Sequence, residues 1–405
     1  MESFTLKNNI KVIFNKTNGV EVVAIRVLTP VSVIVENSQN AGISYLTSRL
    51  MTHSTKKYSS KDLAKVVEDI GAELVGYTDY DLAEISMSCL SRYFDKATEV
   101  LSDVILNPSF DEKELIFEKQ NIIAYLDSRK DSIGSTALDK FTKEFYGDVS
   151  YSNPVLGSKE TILEITKNDV IQWHKYSYNA SNILISVAGN IDENIVKEFL
   201  EKNFAIIPIG LKFKKPILIL THPENKIKEI QSKFSQAYIY MGFSAPSLND
   251  KRRVPIEVIS VILGSRMTSR LFVELREKLG LAYEVNATYP LRIRESFFAI
   301  YIGLDKKNID LTLKKIDEIL KDFCTVKISN QELEDTKRYM KGIYSISNLT
   351  VREQSFYYGW LELIGKGVGY KEKYLKEIDS VTPEILIDVA NSVFSKKSVT
   401  IIIGV

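Results

Sequence analysis

This sequence predicts an α+β chain of two homologous domains, each an antiparallel-rich sheet with helices packed mainly on one face. Three observations lead there. A helical stripe of Leu63, Val66, Val67 and Ile70 stops at Gly71 and is followed by two strands and two helices. At Gly280, 209 residues later, a second stripe (Leu271, Phe272, Leu275, Leu279) stops and the same succession returns. The halves also close alike, Ile165–Tyr178 then Asn182–Gly189 against Val381–Phe394 then Val399–Gly404, and 405 residues suffice for two full cores. The expected domains are 1–210 and 211–405. Their joint falls within Pro208–Glu229, where Pro208, Gly210, Pro216 and Pro223 sit among lysines.

Taken in order, residues 3–14 and 20–28 run apolar or alternate around Asn15–Gly19, which reads as a hairpin, and Val31–Val35 as a further strand. Ala41–Met51 is helical, with Ile43, Leu46 and Leu50 on one face. Ser59 and Asp62 form a capping start for the helix that Gly71 ends. Strands Ala72–Thr78 and Leu82–Leu90 turn at Asp79–Asp81, and helices follow at Arg92–Leu106, ended by Asn107 and Pro108, and Glu112–Asp127. In the second half the helix is 268–279, with Thr268 or Ser269 as cap. The strands are 281–289 and 295–303, and the helices 309–323 and 330–346.

Composition narrows the function. A formal net charge of +1 gives no overall attraction to nucleic acid or to an anionic membrane, so neither is expected as a partner. No apolar run reaches membrane-spanning length, and the N-terminus lacks a basic region followed by an apolar core. Cys89 and Cys324 lie in different halves, which suits a reducing compartment. The expectation is cytoplasmic, or periplasmic if a signal sequence has been removed. His53, His174 and His222 are not at ligand spacing, so no zinc site within the chain is expected. No Gly-rich phosphate loop, nucleophile elbow or Cys-x-x-Cys pair occurs.

Arg276 stands out in the second stripe. Its neighbours at three and four residues are Phe272, Val273, Leu279 and Gly280, whereas Arg270 and Lys278 each have Glu274 four residues away. A permanently charged fork beside an apolar stripe needs a partner from elsewhere. Tyr283, seven residues on, is placed to direct its hydroxyl to the same region. Two readings follow: a tertiary salt bridge with a half-buried tyrosine, or a pair of donors kept for function.

The capped helix after Lys57–Ser60, the Gly71–Leu74 turn, the segment Asn153–Gly157 with Ile162 and Ile165, and above all Leu271–Tyr283 (LFVELREKLGLAY) resemble the pitrilysin / mitochondrial-processing-peptidase family of zinc peptidases, of the inverted-zincin type and the short bacterial length. The resemblance covers essentially the whole chain and implies two metallohydrolase-like domains forming half of a clamshell. In that family His-x-x-Glu-His lies on the helix beginning near Gly42. Its two His bind zinc and its Glu acts as general base. Here Tyr45, Ser48 and Arg49 occupy those positions, and Asn121–Leu126, where a further Glu ligand is expected, holds no carboxylate; Glu118 and Asp127 only flank it. None of the three replacements does the work of the original.

The second-half pair, Arg276 and Tyr283, keeps the family's identities and spacing. The resemblance therefore implies a non-catalytic subunit of a heterodimeric zinc endopeptidase, supplying Arg276 and Tyr283 as catalytic groups and half of a chamber for an extended polypeptide. Zinc is expected only in a homologous partner chain, with no cofactor here and no peptidase activity alone. The alternative is a catalytically inactive homodimer that binds peptides or serves as a structural core subunit, its chamber lined from the chain's 21 Tyr and 18 Phe.

Overall fold

The computed structural model describes residues 1–216, 226–231 and 234–404; His222 and Pro223 lie outside the described residues. The first half runs β1 (Glu2–Thr5), β2 (Lys11–Lys16), β3 (Val22–Thr29), α1 (Ile43–Met51), α2 (Ser60–Asp69), β4 (Glu73–Thr78), β5 (Ala83–Leu90), α3 (Phe94–Leu106) and α4 (Glu112–Arg129). It continues through α5 (Ile133–Tyr146), α6 (Lys159–Glu164), α7 (Lys167–Ser177), β6 (Leu184–Gly189) and α8 (Glu193–Phe204). The second half runs β7 (Lys226–Ile230), β8 (Ala237–Ala245), α9 (Arg253–Leu263), a π-helix (Phe272–Lys278), β9 (Ala282–Thr288) and β10 (Ser296–Leu304). After these come α10 (Ile309–Thr325), α11 (Asn330–Ile346), α12 (Val351–Leu363), α13 (Tyr370–Asp379), α14 (Pro383–Phe394) and β11 (Ser398–Ile403).

The sheet orders are β1-β2-β6-β3-β5-β4 and β7-β11-β8-β10-β9. Laid side by side they show the duplication strand by strand. The parallel pair β2–β6 answers β7–β11, and the antiparallel series β6–β3–β5–β4 answers β11–β8–β10–β9; among the described residues only β1 has no counterpart. Gly71 and Gly280, the two helix stops, are both left-handed, with φ of 59° and 60°, a conformation that favours glycine.

Two elements of the first half differ from expectation. The hairpin of 3–14 with 20–28 does not form. β1 turns back on β2 through Asn9 (φ 68°), and β6 slides between β2 and β3, so the strand that closes the half separates strands adjacent in sequence. The expected strand Val31–Val35 does not form; Val33–Val35 is a single turn of 3-10 helix with Val33 and Ile34 buried. Its apolar run reflects burial, which looks the same in either conformation.

The chain divides into two compact units: Met1–Leu126, Asn153–Ile217 and Ser345–Tyr370 form one, and the rest forms the other. In the first, β3 directs Val23, Ile25 and Val27 into a core with Leu46, Leu50, Phe94 and Leu101. Its opposite face carries Arg26 and Leu28 and is covered by α12, an element of the second half of the chain. Gly359 of α12 lies so close that a Cβ there would be 2.8 Å from Leu28 Cδ1 and 2.9 Å from Ser186 Cβ. Arg26 pairs with buried Glu84 and donates to Ser355 Oγ at 3.0 Å and to the Arg352 carbonyl at 3.1 Å.

In the second unit, Ile239, Phe243, Phe298, Ile300 and Ile302 face a core with Leu271, Leu275, Ile316 and Val393. The opposite face receives α5, an element of the first half. The fully buried Phe141 ring lies 4.7 Å from the Tyr240 ring and 5.0 Å from that of Phe297. A Cβ on Gly242 would be only 2.2 Å from Phe141 Cζ. The equivalent helices α5 and α12 are thus exchanged, each covering a sheet built by the other half.

Candidate functional site

The helix that bears Tyr45, Ser48 and Arg49 is held at both faces. Gly42 (φ 94°) opens α1, and the buried Glu36 carboxylate accepts from the Gly42 and Ser44 N–H groups, each at 2.9 Å. Under the helix, Gly76 of edge strand β4 lets the Ser48 carbonyl approach; a Cβ there would sit 2.2 Å from that oxygen. Ser48 is buried, with its hydroxyl 2.9 Å from both the Tyr45 carbonyl and Thr78 Oγ1. Tyr45 is half-buried, and burial pushes its phenol up.

Arg49 does more than replace a ligand. Its Nε donates to Glu118 Oε1 at 3.1 Å, and His53 Nε2 lies 3.4 Å from Glu118 Oε2. Glu118 is only 3% exposed. Burial alone would push its carboxyl up, but the hydrogen bonds and charges of His53 and Arg49 together outweigh it and leave the group below its usual range. A guanidinium thus occupies the neighbourhood of a metal-ligand position and already engages the nearest buried carboxylate. Among the described residues no three His, Cys, Asp or Glu side chains converge to hold an ion. These residues do not fit zinc. In the sequence Glu118 only flanks the expected ligand position and lies 69 residues from Arg49; the one local signal for the cluster is His53, four residues beyond Arg49.

Burial also sets a pH dependence. It raises the Glu36 carboxyl to about 7 against the lowering effect of its Gly42 and Ser44 hydrogen bonds. The folded chain therefore holds a proton that the unfolded chain releases near 4.5. Stability from this group is full at acid pH, declines as pH rises from about 4.5 to about 7, and is flat above. Thermal unfolding followed across that range should show a falling midpoint, with Glu36 contributing up to roughly 3 kcal/mol. Glu36→Gln should flatten the slope in part, since Glu84, also raised to about 7 by burial against the pull of Arg26, contributes with the same sign. An unchanged slope in Glu36→Gln would remove Glu36 as its source.

In the second unit two local irregularities place Arg276 and Tyr283. The expected helix 268–279 is a π-helix over Phe272–Lys278, which turns each successive side chain less than an α-helix does. Neither expected cap operates: Ser269 Oγ is buried without a hydrogen bond among the described residues. Arg270 does not take Glu274 but forks onto Glu332 at 2.9 and 3.0 Å, leaving Glu274 to Lys278. Arg276 is exposed, its guanidinium 4.9 Å from the Phe272 ring centroid, and it forms no ion pair among the described residues.

Beyond Gly280, Ala282 pairs with Leu304 but Glu284 pairs with Gly303, so Tyr283 is the extra residue of a β-bulge. Its ring crosses Gly303, where a Cβ would lie 2.6 Å from ring atoms Cε2 and Cζ. Tyr283 is 43% exposed, its hydroxyl makes no hydrogen bond among the described residues, and burial followed by the Glu284 charge pushes its phenol up. Neither irregularity is legible in a hydrophobic pattern. The isolated Gly303 within strand β10 was the one available signal.

A duplicated α+β chain with a filled metal-ligand helix in one half and an exposed Arg and Tyr in the other has the build of a metallopeptidase without its metal. Residues 11–159 match the model described as insulinase, peptidase family M16, and residues 164–340 match that of the peptidase M16 inactive domain. The chain belongs to peptidase family M16, as a member without the zinc motif. It is 29% identical over 407 residues to an uncharacterized zinc protease of Rickettsia felis, covering 98% of this chain and 96% of that protein. With the uncharacterized zinc protease YmxG of Bacillus subtilis the identity is 25% over 398 residues, at the same coverages. The fold superposes with a TM-score of 0.93 on a peptidase M16 inactive domain from Pseudomonas fluorescens, at 20% identity and with 99% of this chain and 97% of that one covered. For a protease from Helicobacter pylori the TM-score is 0.91, at 21% identity, 99% and 98% covered. Among the described residues no helix is long and apolar enough to cross a membrane.

Proposed function

We propose that this chain is the non-catalytic subunit of a heterodimeric zinc endopeptidase, and that Arg276 and Tyr283 enter the active site of a zinc-bearing homologous partner. The observation that carries this reading is a contrast between the halves. On the zinc side, the ligand helix is occupied by the Arg49–Glu118–His53 cluster. On the other, two exposed donors without hydrogen-bonding or ionic partners among the described residues are aimed by a π-helix and a β-bulge, irregularities that cost regular backbone bonding and concentrate at functional sites. A peptide carbonyl under attack gathers negative charge on its oxygen, and a preorganised guanidinium and phenol stabilise that charge. The substrate is an extended polypeptide, added as a strand at a sheet edge; β4 and β9 are edge strands of their sheets.

The test is reconstitution. Purified alone, the chain should bind no stoichiometric zinc and cleave no peptide. Mixed with a family member of similar length that carries an intact His-x-x-Glu-His, it should raise endopeptidase turnover. Elemental analysis finding one tightly held zinc per chain, lost together with activity on chelation, would end this reading.

A further inference from the structure

Beside Tyr283 the second unit holds a cleft of about 660 Å³ with an aromatic wall and an acidic rim, lined by Tyr238, Tyr240, Tyr283, Tyr301, Glu284 and Asp131. Strand alternation builds the wall. Tyr238 and Tyr240 of β8 and Tyr301 of β10 share the sheet face opposite the core. The Tyr301 ring is nearly parallel to both others, at 12° and 6.3 Å from Tyr238 and at 14° and 5.8 Å from Tyr240. The bulge in β9 breaks alternation and turns two consecutive residues, Tyr283 and Glu284, toward this same cleft. The exposed Glu284 carboxylate accepts from the Tyr238 hydroxyl at 3.4 Å and has no ion pair among the described residues. Its charge helps push up the phenols of Tyr238, Tyr283 and Tyr301, after burial in each case, so negative potential reaches across the wall. The cation lining the cleft, Arg129, is already taken by Asp139 at 3.0 Å.

We propose that this cleft is a recognition site for an arginine side chain of the bound polypeptide, the guanidinium lying on tyrosine faces with its edge toward Glu284. It rests on the peptide-chamber reading for the nature of the ligand. The chemistry selects a cation. Tyrosine faces are electron-rich, an anion would meet Glu284, and a neutral apolar side chain would cover that carboxylate without replacing its water. Planarity selects arginine over lysine, because a guanidinium stacks on a ring and still presents N–H donors at its edge.

The test uses the full chain with ring-13C-labelled tyrosine, titrated with N-acetyl-arginine amide and, separately, with its neutral isostere N-acetyl-citrulline amide. The Tyr283 and Tyr301 resonances, assigned through Tyr283→Phe and Tyr301→Phe, should shift with arginine and do so roughly tenfold more weakly with citrulline. Glu284→Gln should bring the two ligands level at an unchanged melting temperature. Silent cleft tyrosines, equal response to both ligands, or a preference that survives in Glu284→Gln each overturn the proposal. Arg276→Ala separates it from the subunit reading: it should leave the arginine response intact while removing the stimulated peptidase turnover. Either can therefore fail while the other stands.

Discussion

Arg276→Ala is expected to lower turnover of the reconstituted peptidase by about a hundredfold, close to 3 kcal/mol of transition-state stabilisation, without weakening subunit assembly. The guanidinium is exposed, makes no ion pair among the described residues and rests on Phe272, so its removal leaves no carboxylate stranded. Folding stability should change little. Tyr283→Phe keeps the ring across Gly303 and removes only the hydroxyl, and should fall in the same range. Gly303→Ala supplies a third arm: its methyl would lie 2.6 Å from the Tyr283 ring, so the ring must swing away and turnover should drop although both donors remain in the sequence. If all three variants reach full activity at unchanged subunit affinity, the pair is not used in catalysis. The inactive homodimeric peptide-binding reading then takes its place. A purely structural role for Arg276 would give the reverse pattern, with Arg276→Ala lowering the melting temperature and Tyr283→Phe silent.

Gly242→Val should cost on the order of 3 kcal/mol of stability in the second unit. The Phe141 ring from exchanged helix α5 lies across Gly242, where even a Cβ would come within 2.2 Å of it, and the ring is held by Tyr240, Phe297 and Phe145. The ring cannot yield without loosening α5. The sign of the coupling checks the cause. In a Phe141→Leu background the added valine should cost less than in the parent, because the smaller side chain leaves room for it. Chemical denaturation of the four proteins measures this, together with proteolysis of the segments flanking α5. Strict additivity of the two substitutions would dissociate the loss of stability from helix docking.

Glu36 and Glu118 mark where reading the sequence alone stops. Both are carboxylates in a polar-looking stretch, indistinguishable from solvated surface until burial is known. One ends up binding a helix N-terminus; the other ends up clasped by Arg49 and His53, from α1 and just beyond it. Arg270 is a similar case, since its choice of Glu332 over Glu274 depends on a helix 62 residues away.

The sequence by itself determined the duplication and the helix stops, and its resemblance to the family added the loss of the zinc motif at Tyr45, Ser48 and Arg49 and the seven-residue spacing of Arg276 and Tyr283. Each rests on a local pattern, met twice in the case of the duplication. A 3.6-residue period, a left-handed glycine or a chemically unfit side chain can be read within a dozen residues, because the physics that fixes it acts over that range. Only the tertiary structure decided that β6 enters between β2 and β3, that α5 and α12 trade sheets, and that a π-helix and a bulge at Gly303 turn Arg276, Tyr283 and Glu284 to their places. These outcomes depend on which of two similar apolar faces a helix covers, and on one extra residue accommodated in a turn or a strand. Hydrophobic periodicity is nearly the same for either alternative. The difference lies in close packing at single positions, Gly242 under Phe141, Gly359 on Leu28 and Gly303 under Tyr283, where a missing Cβ admits one neighbour and no other.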